Sequence, residues 1–324
     1  NVVPKGPIGI VGASGTGTQE ISCIIANEGS GVSQAIGTGG RDVKDAVGGR
    51  SFLDAMQALA ADRETKVIVL VSKPPQPKVL KKIYALLRQI RKPVVALFLG
   101  EGGVPATLEQ AAHLAVAHAN GDDPAQVVPH LARRDGTLLA EARAIVAKRK
   151  KPKGRYLRGL FSGGTFCAEA QVVLDGIVRH LYSNAPLGDS QKLKNAWKPE
   201  KNAVVDLGED EFTVGRAHPM IDFTLRNKMI LEQAADPDVS VLLLDVVLGY
   251  GANLDPAAEL VPVIQQAAKK VFVVAGVNGT IGDPQNRAHV VEALREAGAH
   301  VQLTNAAACK LAGFIAAEVA RQNR

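Results

Sequence analysis

A short aliphatic run that ends in glycines and leads into a helical pattern constrains the fold of this chain most. It lies at residues 7–20, where residues 8–11 have the pattern of a buried strand. Gly12, Gly15 and Gly17 follow, and they predict a turn with backbone angles that a side chain would forbid. A strand, a glycine loop and a helix in this order are typical of α/β proteins.

The start of the predicted helix carries hydroxyl side chains beside the glycines. Thr16 is predicted to cap the helix, with Gln19 three residues on as its capping-box partner. Ser14 and Thr18 add further donors, and the helix dipole is positive at this point. The sequence therefore predicts a site for a phosphate or carboxylate. The alternative is a tight turn without a ligand, because the spacing matches neither the dinucleotide fingerprint nor the nucleotide P-loop.

Aliphatic strands alternate with helical patterns along most of the chain. Of its 324 residues 46% are hydrophobic and only 4% aromatic, which favours parallel sheets covered by helices on both faces. Length predicts two domains. We assign 1–119 to a first domain, 120–154 to a connector with a helix broken near Pro129, and 155–324 to a second domain. The expected class is α/β with two doubly wound parallel sheets, whose ligands lie at the carboxyl ends of the strands.

The two predicted domains repeat one another in pattern. Residues 59–71 match residues 233–245, and residues 91–100 match residues 269–276 in the same order. The glycine loop at 162–165 is of the same kind as the loop at 12–16. An internal duplication therefore predicts two helix starts that face one shared anion. The alternative is two unrelated doubly wound domains.

Composition also excludes several classes of protein. The formal net charge of +6 comes from one basic run at 148–155, without aromatic interleaving, so we expect no nucleic-acid partner. No apolar run is long enough for a membrane span, and no secretory signal opens the chain. Cys23, Cys167 and Cys309 are scattered, which predicts reduced thiols in a cytoplasmic protein without a metal site. The chain begins at Asn1 rather than Met, so the sequence leaves open whether another segment precedes it.

A few polar side chains outside the glycine loops are candidates for chemistry. His218 and Arg216 are predicted to lie at a helix mouth, with Pro219 as the first helical residue. There Arg216 would bind a carboxylate or phosphate with two hydrogen bonds, and His218 would donate to a carbonyl oxygen. The alternative is that His218 only packs at the boundary between the two domains. Arg41 and Asp42 follow two glycines at a strand end, where substrate contact competes with a local ion pair. Ser51 and Asp54 resemble a capping box at the start of the next predicted helix.

Two stretches resemble known synthetases. Residues 8–20 and 36–42 resemble the ligase domain of the succinyl-CoA synthetase α subunit, and residues 206–222 and 244–251 resemble the carboxyl-terminal domain of its β subunit. The single-chain arrangement is closest to the FdrA proteins, relatives of these synthetases that are associated with allantoin catabolism. The resemblance implies two flavodoxin-like domains with helix starts that flank a phosphate.

The residue patterns give one part of the predicted site, and the resemblance implies the two phosphate-facing tips, 14–16 and 162–164. The predicted catalytic residues are His218, Arg216 and Arg41. The predicted phosphate- and substrate-binding residues are Gly12, Ser14, Gly15, Thr16, Gly17, Gly39, Gly40, Ser162, Gly163, Gly164, Thr165 and Asn278. Two features depart from the synthetases: the loop at 100–104 lacks their phosphohistidine, and the CoA-binding domain that precedes the ligase domain is absent.

From these features the sequence predicts an FdrA-like subunit of a carbamoyltransferase, which converts oxalurate and phosphate into oxamate and carbamoyl phosphate. The expected partners are a small anionic substrate and either partner subunits or further copies of this chain. No cofactor is expected, and CoA only with an upstream segment. The alternatives are an acyl-CoA ligase that lacks its CoA-binding segment, or a non-catalytic assembly or regulatory subunit.

Overall fold

The computed structural model describes residues 1–148 and 154–323, and it divides into two compact units. The first unit is Val2–Leu131, and the second is Ala132–Arg324 with Asn1. Most of the predicted basic run, residues 149–153, lies outside the described residues. No helix in the described part of the chain is both long and apolar enough to cross a membrane.

The first unit contains one sheet of four parallel strands. Its elements are β1 (Lys5–Gly12), α1 (Gly15–Asn27), β2 (Val32–Gly37), α2 (Arg50–Ala61), β3 (Val67–Ser72), α3 (Pro77–Leu87), β4 (Val94–Phe98) and α4 (Leu108–Asn120). The strand order is β2-β1-β3-β4. Every residue of β3 is buried, because helices cover both faces of the sheet. In this flavodoxin-type order the chain reverses direction across the sheet between β1 and β3.

The turn after β1 differs from its prediction in two respects. Gly12, Gly15 and Gly17 are not among the residues with positive φ, so the predicted need for unusual backbone angles is wrong. Gly12 is required instead by a close approach, since a Cβ there would lie 1.9 Å from Oγ1 of Thr18. The helix cap is Ser14 rather than Thr16, and its side chain accepts a hydrogen bond from the amide of Gly17.

The predicted break at Pro129 is also wrong. One continuous helix, α5, runs over Val127–Ala147. Pro129 is its third residue, where the backbone N–H that proline lacks would have no intrahelical acceptor. Proline therefore fits the first turn without interrupting the helix.

The second unit contains a sheet of seven strands. Its strands are β5 (Tyr156–Phe161), β6 (Leu181–Ser183), β7 (Gln191–Lys192), β8 (Asn202–Asp206), β9 (Val239–Val247), β10 (Phe272–Asn278) and β11 (Ala299–Gln302). Its further helices are α6 (Gly164–Leu174), α7 (Asp210–Thr213), α8 (Thr224–Ala235), α9 (Pro256–Ala268), α10 (Arg287–Glu296) and α11 (Asn305–Gln322). The strand order is β11-β10-β9-β5-β8-β6-β7, and all described pairs are parallel.

The two sheets share one topology, as the sequence predicted. The strands of each sheet can be numbered in chain order, leaving out the short edge strands β6 and β7. The strands of the second sheet then lie in the order 2-1-3-4-5, and those of the first sheet lie in the order 2-1-3-4. The matched segments 59–71 and 233–245 end in β3 and β9, which are the third strands of the two sheets. Two doubly wound, flavodoxin-like parallel sheets are therefore confirmed, and their shared order supports the predicted duplication.

Candidate functional site

The start of α1 lies at the carboxyl edge of the first sheet. Ser14 is buried and caps the helix, whereas Gly15 is exposed and a Cβ on it would meet nothing within 4 Å. The amides of Gly15 and Thr16 belong to the first helical turn and have no intrahelical acceptor. The positive end of the helix is therefore open to a ligand on the side of Gly15.

Two buried hydroxyl groups flank this helix start. Ser72, the last residue of β3, is fully buried, and Thr38 follows β2 and donates its amide to the carbonyl of Gly12 at 2.8 Å. Among the described residues, Oγ of Ser72 and Oγ1 of Thr38 are buried without a hydrogen-bond partner. A buried hydroxyl without a partner is costly, so both groups favour a ligand or an ordered water beside them. Sequence reasoning missed Ser72, although a hydroxyl residue at the end of an aliphatic strand was a usable signal.

The loop after β2 approaches the same turn. Gly39 has a φ of 78°, and a Cβ on Gly40 would lie 3.6 Å from the carbonyl oxygen of Ala13. Arg41 is the next residue of this loop, and it is exposed. The structure thus brings the predicted glycines of this loop beside the turn after β1.

Asp42 serves a different purpose from the predicted substrate contact. Its two carboxylate oxygens accept hydrogen bonds from the amides of Ser51 and Phe52, at 3.0 and 2.9 Å. These amides belong to the first turn of α2, whose N-cap, Gly49, contributes no side chain. The predicted capping box of Ser51 and Asp54 is therefore wrong, because a carboxylate from the preceding loop already satisfies this helix start.

The start of α6 in the second unit is already occupied by a carboxylate. Asp245 of β9 accepts hydrogen bonds from the amides of Ser162 and Gly163, both at 2.8 Å, and from Oγ of Ser162 at 2.9 Å. These are the groups that the sequence assigned to a phosphate. In this arrangement they already bind an anion of the chain itself.

The charge of Asp245 is balanced from the neighbouring helix. Arg226 of α8 is fully buried and lies 3.5 Å from Oδ1 of Asp245, and it also donates to the Asp245 carbonyl. Burial lowers the pKa of the Arg226 guanidinium, and the negative charge of Asp245 opposes that shift. Arg226 was not predicted, because a single arginine in a helical pattern gives no sign of its burial.

A second carboxylate lies beside the first residue of α6. A Cβ on Gly164 would lie 2.5 Å from Oδ2 of Asp206, and Oδ1 of Asp206 accepts from the amide of Gly208 at 2.9 Å. Thr165 follows in the helix and is buried. Two carboxylates at one helix start make this position unfavourable for a phosphate dianion.

His218 lies in the loop after β8, but not at a helix mouth. Pro219 is in a turn and α8 begins only at Thr224, so the predicted helical role of Pro219 is wrong. Nδ1 of His218 accepts from the amide of Met220 at 3.2 Å, which places the proton of the neutral ring on Nε2. Burial lowers the pKa of His218, although Asp245 opposes the shift, so the ring is a neutral donor near pH 7.

Arg216 is exposed and its guanidinium lies over the ring of Trp197, 5.3 Å from the centroid. This contact is a cation–π interaction rather than a predicted anion clamp. No group of three or more His, Cys, Asp or Glu side chains that could hold a metal ion occurs within the described ranges.

Asn278 ends β10 at the carboxyl edge of the second sheet. Val273, Ala275 and Val277 face the core on one side of the strand, so Asn278 lies on the opposite face with Gly276. A Cβ on Gly276 would lie 3.5 Å from Cα of Asn305, at the start of α11. Both side-chain polar atoms of Asn278 are buried without a partner in the described part of the chain.

Comparisons with known proteins connect both units with CoA enzymes. Residues 160–315 match the family model described as CoA-ligase, and residues 4–100 match the one described as CoA binding domain. The second match corrects the prediction for the first domain, which was a ligase-type domain without a CoA-binding segment.

Individual relatives match this chain over only part of their own length. It is 38% identical over 308 residues to Uncharacterized protein YahF of Escherichia coli (strain K12), which covers 92% of this chain and 60% of that protein. It is 33% identical over 101 residues to the succinate–CoA ligase (ADP-forming) subunit alpha of Staphylococcus epidermidis, covering 31% of this chain and 32% of that one. The chain thus spans less than two thirds of the length of either protein.

Among solved structures, a dinucleotide forming acetyl-coenzyme A synthetase 1 of Ca. Korarchaeum cryptofilum, in complex with phosphate and ADP, aligns over 100% of this chain and 67% of that one. The TM-score is 0.38 at 16% identity. The two family matches thus make residues 4–100 similar to CoA binding domains and residues 160–315 similar to CoA-ligase domains.

Proposed function

We propose that the start of α1 binds the phosphoryl group of an acyl phosphate, and that the chain works as part of an enzyme of the acyl-CoA ligase type. One observation carries the proposal. The open helix start, at Gly15 and Thr16, lies where the chain reverses across the first sheet, and Ser72 and Thr38 each bury a hydroxyl without a partner beside it. Ligands of open α/β sheets bind at this point of the topology.

The chemistry of these groups suits a phosphate. Backbone amides and the positive end of the helix dipole stabilise negative charge, and hydroxyl groups add directional donors. Arg41 supplies a full positive charge on the adjacent loop. We assign the phosphate to α1 rather than α6, since Asp245 and Asp206 already place two carboxylates at the start of α6.

An acyl phosphate joins a carbonyl carbon to a phosphate oxygen. In a ligase of this type, the thiolate of CoA attacks that carbon, the carbon–oxygen bond breaks, and phosphate leaves with the electron pair. Donors fixed around the phosphate stabilise the charge that develops on it and hold the carbonyl in position for attack. The matches to CoA-binding and CoA-ligase domains support CoA as the acceptor.

The test supplies acetyl phosphate and CoA to the full chain and measures acetyl-CoA and phosphate. We expect formation of both, and a large loss in a Gly15→Phe variant, because that side chain enters the open space above the helix start. Gly15→Ala is the matched control, and it should retain most of the activity. Equal activity of Gly15→Phe and the unchanged chain would refute the assignment, and no product from either would favour a non-catalytic subunit.

The second candidate is carbamoyl transfer, and the loop after β4 favours it. Residues 100–104 read Gly-Glu-Gly-Gly-Val, and Gly100, Gly102 and Gly103 all have positive φ. This loop has no histidine to accept a phosphoryl group, which the resemblance to FdrA proteins also implies. In this reaction a phosphate oxygen attacks the terminal carbonyl carbon of oxalurate, the carbon–nitrogen bond breaks, and the nitrogen takes a proton to give oxamate.

Two assays separate these candidates. Phosphate and oxalurate should yield carbamoyl phosphate only if the chain is a carbamoyltransferase. Labelled ATP should leave acid-labile phosphate on the protein only in a ligase that works through a phosphohistidine. A chain with acetyl phosphate activity and neither of these signals is the acyl-phosphate enzyme that we propose.

The site suits a small anionic substrate, and the similarity to a ligase subunit alpha supports a working form with partner subunits or further copies of this chain. Cys23, Cys167 and Cys309 are all buried, and none of them forms a disulfide within the described residues, which supports a reducing, cytoplasmic location. Carbamoyl or acyl phosphate would be a substrate, and no resident cofactor is proposed for these residues.

A further inference from the structure

A cavity of about 440 Å³ opens at the amino-terminal edge of the second sheet. It lies at the first residues of β5 and β8, Tyr156 and Asn202, and against the last turns of α11. Because β5 contains six residues, this edge is separated from the start of α6 by about 20 Å. The cavity is therefore distinct from every site considered above.

The cavity combines an apolar floor with a cationic rim. Ile177, Val178 and Ala316 form part of the floor, while Arg155, Arg179 and Lys201 lie at the rim. Its volume is in the range of about 300 to 1,000 Å³ that is usual for small-molecule sites. An apolar floor and several cations suit a ligand that carries an anionic group on an apolar body.

The cations at the rim are not explained by acidic neighbours. A fourth, Arg321, forms an ion pair with Glu318 at 2.7 Å and lies at the negative end of α11, so it is accounted for. Arg155 and Arg179 have no carboxylate within 4.0 Å among residues 1–148 and 154–323. Among the described residues, the ammonium group of Lys201 lies over the ring of Tyr182 and donates to its hydroxyl.

The backbone at the rim is held in a conformation that is unusual for side-chain residues. His180 has a φ of 52° and Lys201 a φ of 56°, and both line the cavity. Such conformations are unfavourable for residues with a side chain, and they are concentrated at ligand sites. Asn202 fixes this arrangement, because its side chain accepts from the amide of Leu157 and donates to the carbonyl of Arg179.

We propose that this cavity binds an amphipathic organic anion, with its phosphate or carboxylate between Arg155, Arg179 and Lys201 and its apolar body on the floor. This site is additional to the phosphate site at α1, and it does not depend on the reaction that the chain catalyses.

The test is isothermal titration of the full chain with four probes. Hexyl phosphate carries both parts of the expected ligand, hexanoate replaces the phosphate by a carboxylate, and hexanol and inorganic phosphate each lack one part. We expect hexyl phosphate or hexanoate to bind at least roughly tenfold more tightly than hexanol and inorganic phosphate. The tighter of the two anions identifies the headgroup. Equal affinity of hexanol would overturn the proposal.

Variants locate the binding. Arg179→Gln should weaken hexyl phosphate binding roughly tenfold, because a charge-assisted pair is lost. Lys228→Gln removes an exposed lysine elsewhere in the second unit and should change nothing. Ala317→Phe should block the cavity from its exposed rim. If that variant does not fold, Arg179→Gln decides alone, and unchanged affinity there would refute the site.

The phosphate site at α1 is separated by a further variant. Ser14→Asp places a carboxylate at α1 and should leave hexyl phosphate binding at the distal cavity unchanged. Loss of hexyl phosphate binding in Ser14→Asp, together with unchanged binding in Arg179→Gln, would assign the ligand to α1 and overturn the present proposal.

Discussion

The two helix starts that follow β1 and β5 look alike in sequence but differ in electrostatics. At α1 the cap is the neutral Ser14, and the amide of Ala13 donates to the carbonyl of Val71. At α6 the matching strand position is Asp245 rather than Val71, and its carboxylate takes the amides of Ser162 and Gly163. One start is open to an external anion, and the other contains an anion of its own.

This difference shows how a duplicated scaffold can divide its tasks. A carboxylate on the third strand accepts the amides of Ser162 and Gly163 directly before α6, but it requires a buried cation, Arg226, to balance it. The start of α1 has no buried carboxylate that needs a counter-charge, and the positive end of its helix dipole stays open to a ligand. The two helix starts therefore differ at one matched strand position. It is Val71 in β3, which has no charge, and Asp245 in β9, which supplies an internal anion.

The largest expected effect comes from removing the internal anion. Asp245→Leu leaves two amides and a hydroxyl without their acceptor, and it leaves Arg226 buried without a counter-charge. We expect a loss of roughly 3–5 kcal/mol in the free energy of unfolding. Trp197 is the single tryptophan of the chain and lies in the second unit, so its fluorescence during urea denaturation measures this loss.

Two further variants check the cause. Asp189→Asn changes an exposed aspartate of the same unit and should shift stability by less than about 0.5 kcal/mol. Combining Asp245→Leu with Arg226→Met should recover part of the loss, because no unpaired charge remains buried. If Asp245→Leu and Asp189→Asn cost the same, the description of α6 is wrong.

The next effect concerns ligand binding at α1. Ser14→Asp retains a good helix cap but adds a negative charge, so it should weaken phosphate binding roughly tenfold. Ser14→Asn retains the cap without the charge and should bind phosphate as the unchanged chain does. Isothermal titration with inorganic phosphate measures both variants. Equal weakening by Asp and Asn would show that the charge is not responsible.

A smaller effect tests which carboxylate caps α2 in the first unit. Asp42→Ala removes the carboxylate that caps α2, and we expect a loss of about 1 kcal/mol with faster hydrogen exchange at Ser51 and Phe52. Asp54→Ala is the matched control, since Asp54 is exposed and belonged to the predicted capping box. A larger loss in the free energy of unfolding for Asp54→Ala than for Asp42→Ala would show that the predicted capping box forms after all.

The smallest effect is the pH dependence of His218. Burial lowers its pKa from 6.5, so the stabilisation from the neutral ring is fully present above pH 6.5. It is lost as the pH falls through the folded pKa, because the unfolded chain then binds a proton more readily. Nuclear magnetic resonance of the ring should give a midpoint below 6.5, and His218→Gln should flatten the pH dependence of unfolding. A midpoint above 6.5 would contradict this description.

The sequence allowed the sheets to be predicted but not the electrostatic difference between them. Strands such as 67–71 are continuous aliphatic runs, and this pattern follows directly from burial on both faces. By contrast, the roles of Asp42 and Asp245 depend on hydrogen bonds to residues 9 and 83 positions away in the chain. Local patterns do not contain such distances, so the cap at Ser51 was predicted incorrectly, whereas the cap at Thr16 was placed two residues from the true one, Ser14.

The candidate site was predicted in part for the same reason. The glycine loop identified the start of α1, because close approach and helix caps leave local traces. Ser72 and Thr38 become relevant only when β2 and β3 lie on either side of β1. Arg226 could not be found from sequence, since burial of a lone arginine depends on packing between α8 and β9.

The most direct test follows the backbone amides of both helix starts by nuclear magnetic resonance while inorganic phosphate is added at constant ionic strength. We predict saturable shifts at Gly15 and Thr16, and none at Ser162 and Gly163, whose amides remain bound to Asp245. Saturable shifts at Ser162 and Gly163, with Gly15 and Thr16 unchanged, would contradict the account.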